Sequence, residues 1–190
     1  MRCCLLVLIL LAPAAIADAE TGLRSNTVSL DPLMGALGFS GRNLGEWAVS
    51  YERRVRPRHA VLLEQTTVHV HEDPFHLTML GVGVGYRHIL RAEAASSPFA
   101  GLVAGAKLGT GRFGDMPDSS LSARAVFATA HAGWRWTSRR GLTITVRIGA
   151  GWAHYMLADD APPAAVAMQD DRLAPLPFEL DTETSIGWSF

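Results

Sequence analysis

Apolar and polar residues alternate at every second position over long parts of this chain. The clearest run lies between residues 142 and 152, where Leu142, Ile144, Val146, Ile148, Ala150 and Trp152 are separated by Thr, Arg and Gly. A period of two is typical of a β-strand with one apolar face. Turn-forming residues divide the chain into eight such segments, at about 27–37, 44–54, 58–71, 76–89, 98–111, 121–137, 141–157 and 177–190.

These segments predict an all-β fold, a closed antiparallel up-and-down transmembrane β-barrel of about eight strands. After the first residues, no stretch approaches the roughly 20 apolar residues that a membrane helix needs. Only helices and closed barrels satisfy all their backbone groups in a bilayer, so a chain of this kind would enter a membrane as a barrel. The near-neutral net charge of −1 gives no indication of a nucleic-acid partner.

The first residues have the layout of a secretory signal peptide. Arg2 precedes an apolar run up to Leu11, and a small-x-small triplet ends at Ala19. We therefore predict a signal peptide over 1–19 and a barrel domain over 20–190. Both cysteines, Cys3 and Cys4, belong to the signal, so the exported domain would contain no disulfide.

The apolar face of the predicted strands holds all five tryptophans of the chain. Large aromatic residues on this face cluster near strand ends, which is typical of the aromatic girdles at the two edges of a membrane barrel. The predicted girdle consists of Trp47, Tyr51, Tyr86, Trp134, Trp136, Trp152, Trp188 and Phe190.

The opposite face combines glycines with charged residues. An eight-stranded barrel has an interior just wide enough for side chains, so glycines would leave room for long charged neighbours. We predict a closed, charge-filled lumen in which acids and bases pair, because unpaired buried charges are costly. The predicted lumen charge network consists of Asp31, Glu46, Glu52, Arg87, Lys107, His131, Arg135, Arg147, Asp181 and Glu183.

The third segment does not fit this division. Glu64 shares a face with Leu62 and Val68, and a carboxylate facing lipid at mid-membrane would be strongly disfavoured. We expect a β-bulge near Glu64 that turns Val61 and Leu63 outward.

Taken together, these features resemble the small eight-stranded bacterial outer-membrane β-barrel proteins, typified by the OmpA membrane domain, OmpX and OmpW. The residues that carry the resemblance are the signal peptide, the alternating strands and the terminal Ile186, Trp188 and Phe190. The resemblance implies location in the outer membrane of a Gram-negative bacterium, contact with its lipid and lipopolysaccharide, and recognition of the terminal aromatic strand by the outer-membrane assembly machinery. It implies a structural or surface-interaction role through the outer loops. It names no extracellular partner, catalytic residue or cofactor.

Possible metal ligands are densest in the segment HVHEDPFH. His69 and His71 share one strand face, and a tight turn would bring His76 close to them. Because Asp-Pro is ordinary turn chemistry, the same residues are also expected in a solvated loop. We treat these histidines as weak metal candidates and predict no metal.

Two other classes of protein remain as alternatives. A lipid A deacylase or acyltransferase would need a nucleophile beside a base, for which His131 with Thr129, or His154, are the only loose candidates. A secreted, soluble, lipocalin-like barrel would invert the faces, with the tryptophans inside around an apolar ligand and the charges outside. We predict that the protein is not an enzyme.

Overall fold

The fold is a single antiparallel sheet closed into a barrel. The computed structural model describes residues 24–31, 44–72, 75–91, 94–113, 120–158 and 178–190. The strands are β1 (Asn26–Asp31), β2 (Leu44–Arg56), β3 (His59–Glu72), β4 (Phe75–Ile89), β5 (Ser96–Phe113), β6 (Ser120–Thr137), β7 (Leu142–Leu157) and β8 (Phe178–Ser189). Each strand pairs with its neighbours in sequence and β1 pairs with β8. The predicted all-β barrel of eight antiparallel strands is therefore confirmed.

The predicted strand limits agree with β2 to β8 to within two residues. The predicted end of the first strand, at 32–37, and the predicted signal peptide lie outside the described residues. In the described part of the chain, no helix is long and apolar enough to cross a membrane.

The last residue closes the ring of hydrogen bonds. The amide of Asn26 donates to the carbonyl of Phe190 at 3.0 Å, and the amide of Phe190 donates to the carbonyl of Asn26 at 2.9 Å. Alternation continues to the final residue because that residue is still paired in the sheet.

The barrel has two different ends. At the end where β1 begins, which we call the turn end, strands are joined by residues 57–58, 90–95 and 138–141. At the opposite end, the loop end, the connecting segments are 32–43, 73–74, 114–119 and 158–177. The turn at 138–141 needs a glycine, because Gly141 has a φ of 105°, which side chains disfavour.

Most buried charged side chains point into the barrel, and many large apolar side chains point out of it. Glu52, Arg87 and Thr143 are buried inside, whereas Leu102 and Ile148 are 61% and 62% exposed on the outer wall. Inward and outward positions alternate along every strand, as the pleat requires.

The expectation of a bulge near Glu64 is wrong. The pairing of β2 with β3 runs without interruption from Ser50↔Glu64 to Glu52↔Leu62, and its register shifts only at Arg54 and Arg56. Leu62, Glu64 and Thr66 all face inward and are buried. The carboxylate avoids lipid because this whole strand face, including its leucine, lies inside the barrel.

Candidate functional site

The turn-end half of the lumen contains a connected group of buried charges. We call it the lumen ion cluster, and six of the eight strands contribute to it. Its members are Glu52, Glu64, Arg87, Arg135, Arg147, Asp181 and Glu183.

Glu52 is the carboxylate that holds two arginines from across the barrel. Its two oxygens accept from Nη1 and Nη2 of Arg135, each at 2.5 Å. One of them also accepts from Nη1 of Arg87 at 2.9 Å. A two-pronged arginine–carboxylate contact is geometrically specific and stronger than a neutral hydrogen bond. Glu52 therefore links β2 to β4 and β6 through the lumen.

Arg147 organises the second part of the cluster. It donates to Glu64 on β3, and its Nε lies 3.2 Å from Asp181 and 2.8 Å from Glu183 on β8. Glu183 also lies 3.7 Å from Nη2 of Arg87, which joins the two parts. Four carboxylates thus surround three guanidinium groups, so the charges largely neutralise one another.

His131 extends the cluster at one side. Its Nε2 lies 3.4 Å from Nε of Arg87, which donates to it, and the rings of His131 and Phe99 are 6.0 Å apart. The guanidinium carbon of Arg87 lies 4.5 Å from the centre of the Phe99 ring, within the range of a cation–π contact. Gly101 leaves room for this group, because a Cβ there would come within 2.6 Å of His131 Nε2.

The rest of the lumen is mostly apolar, which corrects the prediction of a lumen filled by charge throughout. Its buried apolar side chains form two adjoining groups, Leu62, Val103, Phe127 and Ala153, and Leu77, Met79, Ala123 and Ala125, of which the second lies toward the loop end. Tyr155 packs against both groups. We call these residues the apolar plug. Sequence alternation missed it because apolar residues were assigned to the lipid side.

Two other residues of the predicted network, Lys107 and Asp31, are also buried. Lys107 is buried beside the plug, with its ammonium 5.0 Å from the centre of the Phe127 ring. Asp31 is buried at the loop end of β1. The Glu46 side chain is not among those described.

Sequence analysis also missed Glu64 as a cluster member. Its apolar neighbours Leu62 and Val68 gave this face a lipid-facing character, so an inward Glu64 was expected only with a bulge that turned Val61 and Leu63 outward. The signal that could have placed it correctly was the carboxylate itself, which gains from an arginine partner inside and loses in lipid.

The outer wall has an apolar belt between aromatic side chains. At the turn end, Tyr86, Trp134, Trp136, Trp188 and Phe190 are exposed and Tyr51 is half-buried, and at the loop end Trp47 and Trp152 are exposed. Some polar groups of these rings have partners: Tyr51 donates to Asn26 at 2.7 Å, and Trp134 Nε1 donates to Ser96 at 2.5 Å.

The height of this belt can be derived from the strands. On β6 it runs from Trp136 to Val126, and on β7 from Leu142 to Trp152, ten steps from residue to residue in each case. At about 3.3 Å per residue and a strand tilt near 40°, this corresponds to about 25 Å along the barrel axis. The apolar band of outer-membrane barrels has about the same height.

The weak metal candidates lie near the loop end of β3 and β4. His69 is exposed, and its Nδ1 is 3.0 Å from the hydroxyl of Thr78. Together with His76 and Arg112 it lines a groove of about 280 Å³ on the wall. His71 pairs in register with His76, but its side chain is not among those described. Within the described ranges, no cluster of three or more His, Cys, Asp or Glu residues could hold a metal ion.

Of the candidates for nucleophilic chemistry, one pair lies inside the barrel and the other candidate lies on its outer wall. His131 and Thr129 are both buried in the lumen. His154 lies on the outer wall, where its ring stacks on Trp152 at 5.8 Å.

Comparisons with known proteins give a likeness at the level of the fold. No family model matches the chain, and no curated protein matches its sequence. The crystal structure of Acinetobacter baumannii CarO aligns with 88% of this chain and 97% of its own, at 8% sequence identity and a TM-score of 0.43. A likeness at this level assigns no function.

Proposed function

We propose that this chain is an outer-membrane β-barrel protein of a Gram-negative bacterium, with a closed lumen and a structural or surface-interaction role. The observation that carries the proposal is that the charged residues of the sheet lie inside the barrel and the tryptophans and other large apolar residues cover its exterior, the reverse of a soluble barrel. Ion pairs fill the turn-end half of the interior, and an apolar belt about 25 Å high covers the exterior.

The same orientation of the two faces argues against a soluble, lipocalin-like barrel. That alternative needs the tryptophans around an interior ligand, but Trp134, Trp152 and Trp188 are about half exposed on the outer wall. In water, so large a continuous apolar surface would drive aggregation. In a bilayer, it is the surface that lipid chains cover.

The loop end is the part proposed to meet other molecules. The lumen offers no binding surface where it is filled by the ion cluster and the apolar plug. Segments that connect rigid strands commonly carry recognition, and the longest of them here, 158–177, joins β7 to β8. The proposed partners are lipid and lipopolysaccharide around the belt, and the assembly machinery at Ile186, Trp188 and Phe190.

A lipid-modifying activity has no observation in its favour. His131 is turned toward Arg87 inside the barrel, where lipid chains on the outer wall do not reach. The described contact of His154, on the outer wall, is with the ring of Trp152. We therefore propose a role without catalysis.

The test is expression of the whole chain in a Gram-negative host, isolation of outer membranes, and electrophoresis of boiled and unboiled samples. A band in the outer-membrane fraction whose mobility changes on boiling is expected, because a closed strand ring resists detergent. A soluble periplasmic protein without this heat-dependent shift would overturn the proposal.

A further inference from the structure

The two ends of the barrel differ strongly in charge. At the turn end, every one of the three connections carries exposed arginine side chains. The exposed arginines on the connections are Arg58, Arg91, Arg139 and Arg140, and together with Arg53 and Arg56 at the end of β2 we call them the turn-end arginines. The sequence of these connections contains a single acidic residue, Glu93.

The segments at the loop end have the opposite character. They contain Asp73, Asp115, Asp118, Asp159, Asp160, Asp170 and Asp171 against two arginines, Arg42 and Arg172. Arginines are therefore concentrated at the turn end, although the net charge of the whole chain is nearly neutral.

The turn-end arginines encircle the barrel directly below the aromatic edge of the belt. Arg53 lies on the same outward face of β2 as Tyr51, two residues further toward the turn. Arg139 and Arg140 follow β6 shortly after Trp134 and Trp136. The connections that carry these arginines are only two, six and four residues long.

Such short turns cannot project far beyond the membrane. The polar headgroup layer extends roughly 5–8 Å beyond the hydrocarbon on each side. Arginine side chains on two- to six-residue turns therefore end within the headgroup layer, where the available anions are lipid phosphates. A guanidinium group pairs with phosphate through two parallel hydrogen bonds.

The geometry points to a ring that binds anionic phospholipid headgroups at the turn end of the barrel. This inference rests on the proposed membrane location. The ligand is the phosphate of phospholipids in the leaflet that the turn end contacts, and the arginines of three separate turns bind several lipids around the rim. Arg24 serves the fold instead, since it donates to the carbonyls of Ser189 and Arg139.

The tryptophans of the turn end provide a direct readout of lipid binding. The folded protein is reconstituted in phosphatidylcholine vesicles that contain a brominated probe lipid, with either a phosphatidylglycerol or a phosphatidylcholine headgroup. Bromine quenches tryptophan fluorescence only from lipids in contact with the wall, so the ratio of the two quenching curves gives the preference for the anionic headgroup. Each basic residue near an anionic surface adds roughly fivefold to the attraction, so a preference of at least about threefold is expected for the wild-type protein.

The test variant carries Arg56→Gln, Arg58→Gln, Arg139→Gln and Arg140→Gln. These residues are exposed at the turn end, so the barrel is expected to fold, and the preference is expected to fall by at least half, with the remainder due to Arg53 and Arg91. The matched control carries Arg112→Gln and Arg124→Gln, two exposed arginines near the loop end, and is expected to keep the wild-type preference. Replacing part of the salt by glycerol phosphate at the same ionic strength should leave the preference unchanged, because soluble phosphate is not held at the belt edge.

Each other result has a distinct meaning. A protein that inserts into vesicles and shifts on boiling, but has no preference for the anionic lipid, overturns the ring and leaves the membrane proposal intact. A preference that survives the four substitutions, or that soluble glycerol phosphate abolishes, also overturns it. If isolated peptidoglycan or an acidic protein binds the wild type but not the variant, and lipid preference is absent, the arginines serve a periplasmic partner instead. A chain that never inserts overturns both proposals.

Discussion

Glu52 shows at the level of a single residue why the lumen is organised as it is. Its side chain is only 3% exposed, and it contacts arginines from two other strands. A buried charge without a partner is strongly destabilising, whereas a paired one is close to neutral. The cluster is therefore sensitive to removal of one partner, although it contributes little net free energy as a whole.

Replacing Glu52 tests this sensitivity. Glu52→Gln would leave Arg87 and Arg135 facing a neutral amide, and we expect it to lower the free energy of unfolding by about 3–5 kcal/mol. Urea unfolding of the vesicle-inserted protein, followed by tryptophan fluorescence, measures the change. Ser50→Ala is the control, since Ser50 is a buried, uncharged neighbour on the same strand. A loss below about 1 kcal/mol for Glu52→Gln, within the range of an ordinary hydrogen bond, would mean that the arginines do not depend on this carboxylate.

At the level of strands, the sequence predicts where each strand begins and ends better than it predicts which face of the strand points into the barrel. The limits of β2 to β8 follow from turn residues and alternation, both of which are local signals. Alternation alone did not give the face of β3: Val61 is exposed as expected but without a bulge, because Leu62 packs in the apolar plug and Glu64 contacts Arg147. Both contacts come from strands distant in sequence, so no local pattern encodes them. Glu64 and the apolar plug are the parts of the lumen that alternation could not predict.

The outward face of β5 allows a test of what covers the belt. Leu102 lies in the belt, and Thr110 lies on the same face of the same strand beyond its loop-end edge. An arginine at the bilayer midplane costs about 2–4 kcal/mol, and near the interface about 0–1 kcal/mol. We therefore expect Leu102→Arg to destabilise the protein in vesicles by about 2–4 kcal/mol and Thr110→Arg to have little effect.

Equilibrium unfolding from vesicles measures both variants. In a soluble barrel, Leu102→Arg would replace an exposed apolar side chain by a charged one and would leave stability nearly unchanged. Equal stabilities of the two variants would therefore contradict a lipid-covered belt.

At the scale of the whole molecule, the lumen contains two barriers in series. The ion cluster fills the turn-end half, where Arg147 and Glu52 reach across to other strands. The apolar plug extends from the middle of the lumen, around Phe127, toward the loop end, around Met79. An ion that passed the first barrier would lose its hydration at the second, and buried unpaired charge is costly.

This arrangement predicts that the barrel does not conduct ions, even when one barrier is weakened. In a planar bilayer, we expect no discrete conductance steps for the wild type or for Phe127→Ala. In that variant a cavity replaces the ring, but the ion cluster remains in place. Insertion is verified by the shift on boiling of protein recovered from the same preparation. Conductance steps in the wild type would show that the lumen is open. Steps in Phe127→Ala but not in the wild type would show that the apolar plug alone blocks ions and that the ion cluster leaves a path for water.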